Sequence, residues 1–302
     1  MTSTSAQMLP KAIAVTMFKV IAVMLVVTTV QGETPPSPIT VNTYGNCASA
    51  DGTLEKRIQQ LESIVLQQQQ VLLQLQVARD LDYSTVTRDC TDLFNNGSRS
   101  SGIYTIKPAG SKPFQVYCLF DNEGQWTVLQ RRTDGSTDFQ RSWLEYRNGF
   151  GRLGGNHWLG NEYIYAITNQ RQYQLRVDIA DWDRNRLHAT YKYFQIDAEA
   201  NNYTIHYANY TGTAGDSLTD YHQGMSFSTF DRDNDRAPRE HCARLHGGGW
   251  WYNECDNGNL NGYYNYDPKL KGPTDQGIEW NSWKQLYSFK ETMMRIKPTF
   301  DD

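Results

Sequence analysis

Three aspartates, Asp231, Asp233 and Asp235, alternate with polar residues and are followed closely by Pro238. Carboxylates at that spacing repel, so they converge only around a cation, and oxygen-rich loops of this kind suit calcium. An EF-hand is excluded. No glycine follows Asp235, and the twelfth position counted from Asp231 is Cys242, where that motif needs a bidentate glutamate. Immediately downstream, Cys242 and Cys255 enclose Gly247, Gly248 and Gly249 with Trp250 and Trp251. Glycines permit tight backbone paths and tryptophans supply apolar walls, so Ser226–Gly262 combines a cation loop with a shaped pocket. Trp250 and Trp251 are expected to pack beneath the loop.

These residues need a scaffold and a compartment. The chain has 302 residues, a net charge of −4 and no basic cluster, which removes the electrostatic basis for nucleic-acid binding. Residues 1–32 place Lys11 and Lys19 ahead of the apolar run Val20–Val30, and Val30-Gln31-Gly32 offers a small-residue cleavage site. That is the pattern of a secretory signal peptide. Lys19 leaves too short an apolar core for a stable membrane span, so a secreted, extracellular protein is expected.

In an oxidising medium the five cysteines should mostly pair. Cys242–Cys255 closes a short glycine-containing loop, worth about 3 kcal/mol in the chain-entropy model. Cys90–Cys118 is the other natural pair. Cys47 remains, in the Pro-rich linker 33–53, and an interchain bond is the expected use of the odd cysteine. Asn96, Asn202 and Asn209 each open an Asn-x-Ser/Thr sequon and are expected to carry surface glycans.

Leu54, Ile58, Leu61, Val65, Leu72 and Leu75 follow four- and three-residue steps, with Gln68 interrupting the seam. This spacing predicts a short coiled coil over 54–78, a linker over 79–89 and, with Cys47, a homo-oligomer. From Cys90 onwards, short strand-like runs are punctuated by Gly, Asn, Asp and Pro. Gly102–Lys107, Phe114–Phe120, Trp126–Gln130, Gln172–Ile179, Asn202–Tyr207 and Leu286–Ile296 read as strands, Asp138–Tyr146 and Gly160–Thr168 as helices. The texture is that of an α+β globe with an antiparallel sheet. Arg131 and Arg132 abut Asp134 and are expected to form ion pairs with it.

Several longer motifs are more specific: SGIYTIKP at Ser101–Pro108, VYCLF at Val116–Phe120, WTVLQRRTDGSTDFQRSWLEYRNGFG at Trp126–Gly151, WLGNEYI at Trp158–Ile164, LRVDIADWD at Leu175–Asp183, FSTFDRDND at Phe227–Asp235, GGWWYNEC at Gly248–Cys255 and LNGYY at Leu260–Tyr264. Through them the chain resembles the fibrinogen C-terminal globular domain, as in ficolins, tachylectins, angiopoietin-like factors and the fibrinogen chains, over residues 90–298, leaving a tail at 299–302. The resemblance implies a central antiparallel sheet, short helices and a loop-rich subdomain holding Ca2+ and a ligand pocket, preceded by a short coiled coil. It assigns Asp233 and Asp235 as carboxylate ligands. Two backbone carbonyls would complete the site: Ala237 and Arg239 counted from Asp235, or Pro238 and Glu240 counted back from Cys242, the loop being one residue longer than the family pattern.

For the pocket the resemblance points to His241, Cys242, His246, Asp256, Thr274 and Asp275, with a cis peptide at His241–Cys242. His246, Asp256, Thr274 and Asp275 all depart from the aromatic and histidine pattern of the acetyl-binding members, which removes the apolar slot for an acetyl methyl, while Asp256 and Asp275 add negative charge. The family scaffold serves clotting, immunity and signalling. The expectation is therefore a non-enzymatic, calcium-dependent lectin or pattern-recognition molecule binding a glycan, the alternative being an extracellular signalling or matrix ligand that binds a protein receptor through the same loops. No nucleophile elbow or phosphate-loop motif argues for catalysis.

Overall fold

The computed structural model describes residues 51–85, 87–269 and 276–299. The expected signal peptide, Cys47, Thr274 and Asp275 lie outside the described residues. Helix α1, Asp51–Thr85, spans the stretch read as a coiled coil and continues beyond it, so most of the stretch read as a linker over 79–89 is helical. Its apolar side chains Ile58, Leu61, Val65, Leu72 and Leu75 are all exposed. No helix among the described residues is long and apolar enough to cross a membrane.

The globe is built on a nine-stranded sheet. Its main path runs β1 (Gly102–Ile106), β2 (Phe114–Asp121), β3 (Gly124–Arg132), β11 (Glu291–Pro298), β6 (Tyr173–Ala180), β7 (Arg186–Ile196) and β8 (Ile205–Gly212). Two short strands, β4 (Phe150–Gly151) and β5 (His157–Trp158), join beside β3. All pairings are antiparallel, and the last strand is inserted in the middle, placing Met294 opposite both Gln130 and Val177. Alternation explains much of this: in β6 Tyr173, Leu175, Val177 and Ile179 point into the core while Gln174, Arg176 and Asp178 do not.

The other helices of the globe are short: α2 (Cys90–Asn95), α3 (Trp143–Asn148), α4 (Asn161–Thr168), α5 (Thr219–His222) and α6 (Cys242–Leu245). Helix α3 starts later than the sequence suggested. Asp138 spends its carboxylate on the Gln140 amide in a preceding turn, whereas Ser142 and Glu145 form a reciprocal capping box. The strand expected at Asn202 begins only at Ile205, because Asn202 and Tyr203 have positive φ and cannot extend it. Strand β7 was not anticipated. The final strand starts only at Glu291: Leu286 is at positive φ, and Tyr287, Ser288 and Phe289 pair instead with Lys269, Pro268 and Ile278.

Disulfides join Cys90 to Cys118 and Cys242 to Cys255, with Cα separations of 5.4 and 5.3 Å. The ion pairs expected between Asp134 and its neighbouring arginines do not form. Asp134 instead accepts the Ser136 amide and the Asn156 carboxamide, Arg131 lies over the Tyr117 ring, and Arg132 turns inward.

Candidate functional site

After β8 the chain forms a lobe with little regular structure, whose only strands among the described residues are β9 (Gly258–Asn259) and β10 (Glu279–Trp280). Local chemistry explains its shape. Gly248 has φ +75°, and a Cβ there would sit 2.1 Å from the Asn261 carbonyl oxygen. Gly249 lies against the rings of Tyr146 and Phe227, where a Cβ would approach within 2.7 Å. The loop can therefore run directly over the aromatic core, and Trp250 and Trp251 are fully buried packing residues, as their position under the loop implied. Asn261 secures the crossing by donating to Gly249 O at 2.9 Å.

The aspartate loop is anchored to this layer. Ser228 and Trp250 exchange backbone hydrogen bonds, Thr229 and Arg232 exchange another pair, and the Arg236 amide donates to Asn253 O. The three aspartates then separate in role. Asp231 Oδ1 accepts from the Trp143 amide at 2.8 Å and the Thr229 hydroxyl at 2.7 Å, so it pins α3 instead of joining Asp233 and Asp235. Asp233 is exposed, and its Oδ1 accepts the Asp235 amide at 3.2 Å. Asp235 accepts from the amides of Ala237 and Cys242 at 2.9 and 2.8 Å.

Partial burial, and then the neighbouring Asp233 carboxylate, raise the pKa of Asp235. A cation between the two would relieve both effects. Among the described residues the carbonyls of Ala237, Pro238, Arg239 and Glu240 accept no backbone N–H, so they have lone pairs to offer. The donor set of Asp233, Asp235 and these carbonyls is all oxygen, which fits a hard cation such as Ca2+. His241 closes the loop from below. Its Nε2 lies 2.9 Å from Thr229 O, and because a carbonyl only accepts, that nitrogen carries the proton, leaving Nδ1 3.9 Å from Asp233 Oδ2.

The residues expected to form the ligand pocket divide. His241 belongs to the aspartate loop, and Cys242 is fully buried in its disulfide. His241–Cys242 is not the cis peptide; Glu254–Cys255 is, and His241 has ordinary extended backbone angles. His246 and Asp256 do come together, with Nδ1 and Oδ2 3.5 Å apart, and Glu279 joins them so that one ligand atom from each lies within 4.8 Å of the others.

The convergence has a structural cause. The Cys242–Cys255 bond ties the segment bearing His246 to that bearing Asp256, while the β9–β10 pairing sets Glu279 opposite Asn259. The Asp256 side chain is 2% exposed and Glu279 1% exposed, so this corner is polar and largely buried rather than an open apolar slot. Glu279 gave no signal in the sequence, since it stands inside a short run of strand-like residues. His222 was likewise overlooked. It is fully buried, with Nδ1 2.8 Å from Trp251 O and Nε2 accepting the Asn257 amide at 3.1 Å, which supports the chain next to Asp256. Burial holds its pKa down at about 4.

Of the three sequons, Asn96 and Asn209 are exposed, while Asn202 is partly buried and accepts Arg232 Nη2 at 2.6 Å.

Residues 86–299 match the family model described as the C-terminal globular domain of fibrinogen beta and gamma chains. The chain is 41% identical over 282 residues to fibrinogen-like protein 1 of Bos taurus, covering 84% of this chain and 90% of that protein. It is 45% identical over 214 residues to angiopoietin-1 of Rattus norvegicus, covering 70% of this chain and 43% of that protein. Among solved structures, the fibrinogen-like globe domain of human ANGPTL2 superposes with a TM-score of 0.68 at 40% identity, covering 70% of this chain and 99% of the globe. A lamprey fibrin D-dimer complexed with the peptide Gly-His-Arg-Pro-amide gives a TM-score of 0.68 at 34% identity, covering 84% of this chain and 91% of its own.

Proposed function

The chain belongs to the fibrinogen C-terminal globular domain family, and from that premise we propose that it is an extracellular, non-enzymatic ligand that binds a protein partner through its loop lobe. The observation that carries this reading is the corner formed by His246, Asp256 and Glu279. Acetyl-group recognition needs an apolar slot there, and buried carboxylates stand in its place. The relatives named above are a fibrinogen-like protein and an angiopoietin rather than ficolins or tachylectins, which supports the protein-ligand reading over the lectin one.

Calcium has a stabilising role in this proposal. Asp233 and Asp235 would hold it with carbonyls of the following turn, and the ion would supply the positive charge that lets two adjacent carboxylates stay ionised. The exposed apolar residues of α1 are assigned to contacts with further copies of the same chain, supported by their heptad spacing. Linking several globes would raise avidity by about 100-fold or more without new contacts.

The test uses cells that bind the full-length protein in calcium. Protease treatment of those cells should abolish binding, enzymatic removal of surface glycans should leave most of it, and a glycan array should stay blank with calcium or with chelator. Binding that survives protease but disappears with the glycans would restore the lectin reading.

A further inference from the structure

The two ends of the large sheet differ in how their open edges are protected. Its main path starts at β1 and finishes at β8, so each of these strands has a neighbouring strand on one side only. An unpaired strand edge is a template for pairing with another chain, and natural sheets blunt it with charge, proline, brevity or a covering segment. Strand β1 is five residues long and is flanked by Arg99 and Lys107. Strand β8 has eight residues, and from Ala200 to Gly215 the chain contains no Asp, Glu, Lys, Arg or Pro.

Half of the β8 edge is covered by the chain itself. The Ile205 amide donates to Met225 O, Ile205 O accepts the Gly224 amide, and Gln223 Oε1 accepts the Tyr207 amide, so the segment at 223–225 closes the start of the strand. From Ala208 to Gly212 the backbone bonds, among the described residues, only to β7. Asn209, Thr211 and Gly212 in this open half are exposed. Asn209 also breaks the ladder: its φ is +60°, and the Asn209–Lys192 pair is missing from a register that otherwise runs unbroken from Ile205 to Gly212. The left-handed region suits an asparagine, and with Thr211 that asparagine makes an acceptor sequon in the middle of the open, uncharged stretch.

We propose that Asn209 carries an N-linked glycan that shields the open half of β8 from pairing with another chain. This rests on the extracellular reading above, because the transfer belongs to the secretory route. In that transfer the Asn209 Nδ2 bonds to the anomeric carbon of a lipid-pyrophosphate-linked oligosaccharide and gives up one proton, while the carbon–oxygen bond to the pyrophosphate breaks and the lipid pyrophosphate leaves with the electron pair. The bulky, hydrated sugar then supplies the protection that the sequence does not provide as charge or proline. Asn202, the other sequon of this uncharged stretch, is the poorer host, since its carboxamide accepts Arg232 Nη2 at 2.6 Å and the adjoining Tyr203 is fully buried. Asn96 is exposed but sits at the end of α2 rather than on a strand, which makes it the internal control.

The test uses the full chain secreted from cultured eukaryotic cells. Enzymatic deglycosylation in heavy-oxygen water, followed by peptide mapping, marks each asparagine that carried a glycan, and Asn96 and Asn209 should both be marked. The sequon is then removed at Thr211, because position 209 itself needs a residue suited to the left-handed region. Thr211→Val loses the glycan without adding charge, whereas Thr211→Lys loses it but places a charge on the strand. In sedimentation velocity at equal concentration, Thr211→Val should put roughly tenfold more protein into species heavier than the parent, and Thr211→Lys should sediment as the parent does. If Thr211→Val is not secreted, trimming the native glycans to one sugar with an endoglycosidase, in an Asn96→Gln background, makes the same comparison. Asn96 marked with Asn209 bare overturns the proposal and leaves the extracellular reading standing, and neither marked overturns both. A Thr211→Val protein that sediments like the parent, or a Thr211→Lys protein that associates as strongly as Thr211→Val, overturns the shielding role.

Discussion

The nine-stranded sheet and the loop lobe bury the same kinds of aromatic residue but hold them by different means. In the sheet, strands β2, β3, β11 and β6 are linked by backbone ladders, with one register shift at Met294–Arg295, and in β6 the side chains alternate between core and surface. In the lobe, ladders are almost absent, and buried Asn259, Asn261, Ser288 and His222 hold the chain by specific hydrogen bonds, with one disulfide. A ladder tolerates change at any one side chain because its backbone bonds remain. A side-chain network fixes one arrangement residue by residue, and each member can be altered to suit a ligand while the sheet is untouched.

The sharpest test of this contrast compares two glycines. Gly248→Ala must fit a Cβ 2.1 Å from a carbonyl oxygen at positive φ, and a loss of about 4 kcal/mol or more is expected by denaturant unfolding. Gly102→Ala in β1 meets only the Tyr104 ring at 3.8 Å and should stay within about 0.5 kcal/mol of the parent. Equal losses would mean that the two regions do not differ in tolerance.

Acid should separate the regions next. His222 is neutral in the native protein down to pH about 4, whereas the unfolded chain takes up the proton near 6.5. The unfolded state therefore binds more protons between these values, and stability present above pH 6.5 is lost as pH falls, by up to about 3 kcal/mol from this group. His222→Gln should flatten that limb of the stability–pH curve. An unchanged limb would show that the histidine is not the group responsible.

The smallest expected effects divide the aspartates within the lobe. At a calcium concentration 100-fold above its dissociation constant, the ion should add about 2.7 kcal/mol, and Asp235→Asn should remove most of that gain. Asp231→Asn should cost about 1 kcal/mol with or without chelator, because its carboxylate holds the Trp143 amide. Melting curves of both variants with calcium and with chelator make the comparison, and identical curves for the parent in the two conditions would remove the calcium proposal.

What the sequence determined is local in origin. The alternation in β6, the Ser142–Glu145 capping box, the glycine-spaced cysteines and the Asp233–Asp235 pair all express preferences acting within a few residues, and the family motifs identified the globe. Tertiary structure alone decided the rest. It placed the final strand between β3 and β6, turned Asp231 away toward α3, buried Arg132 beside Gly262, and brought Glu279 to His246 and Asp256. In each case the partners are far apart in sequence, and their meeting depends on long-range pairing that no local spacing encodes.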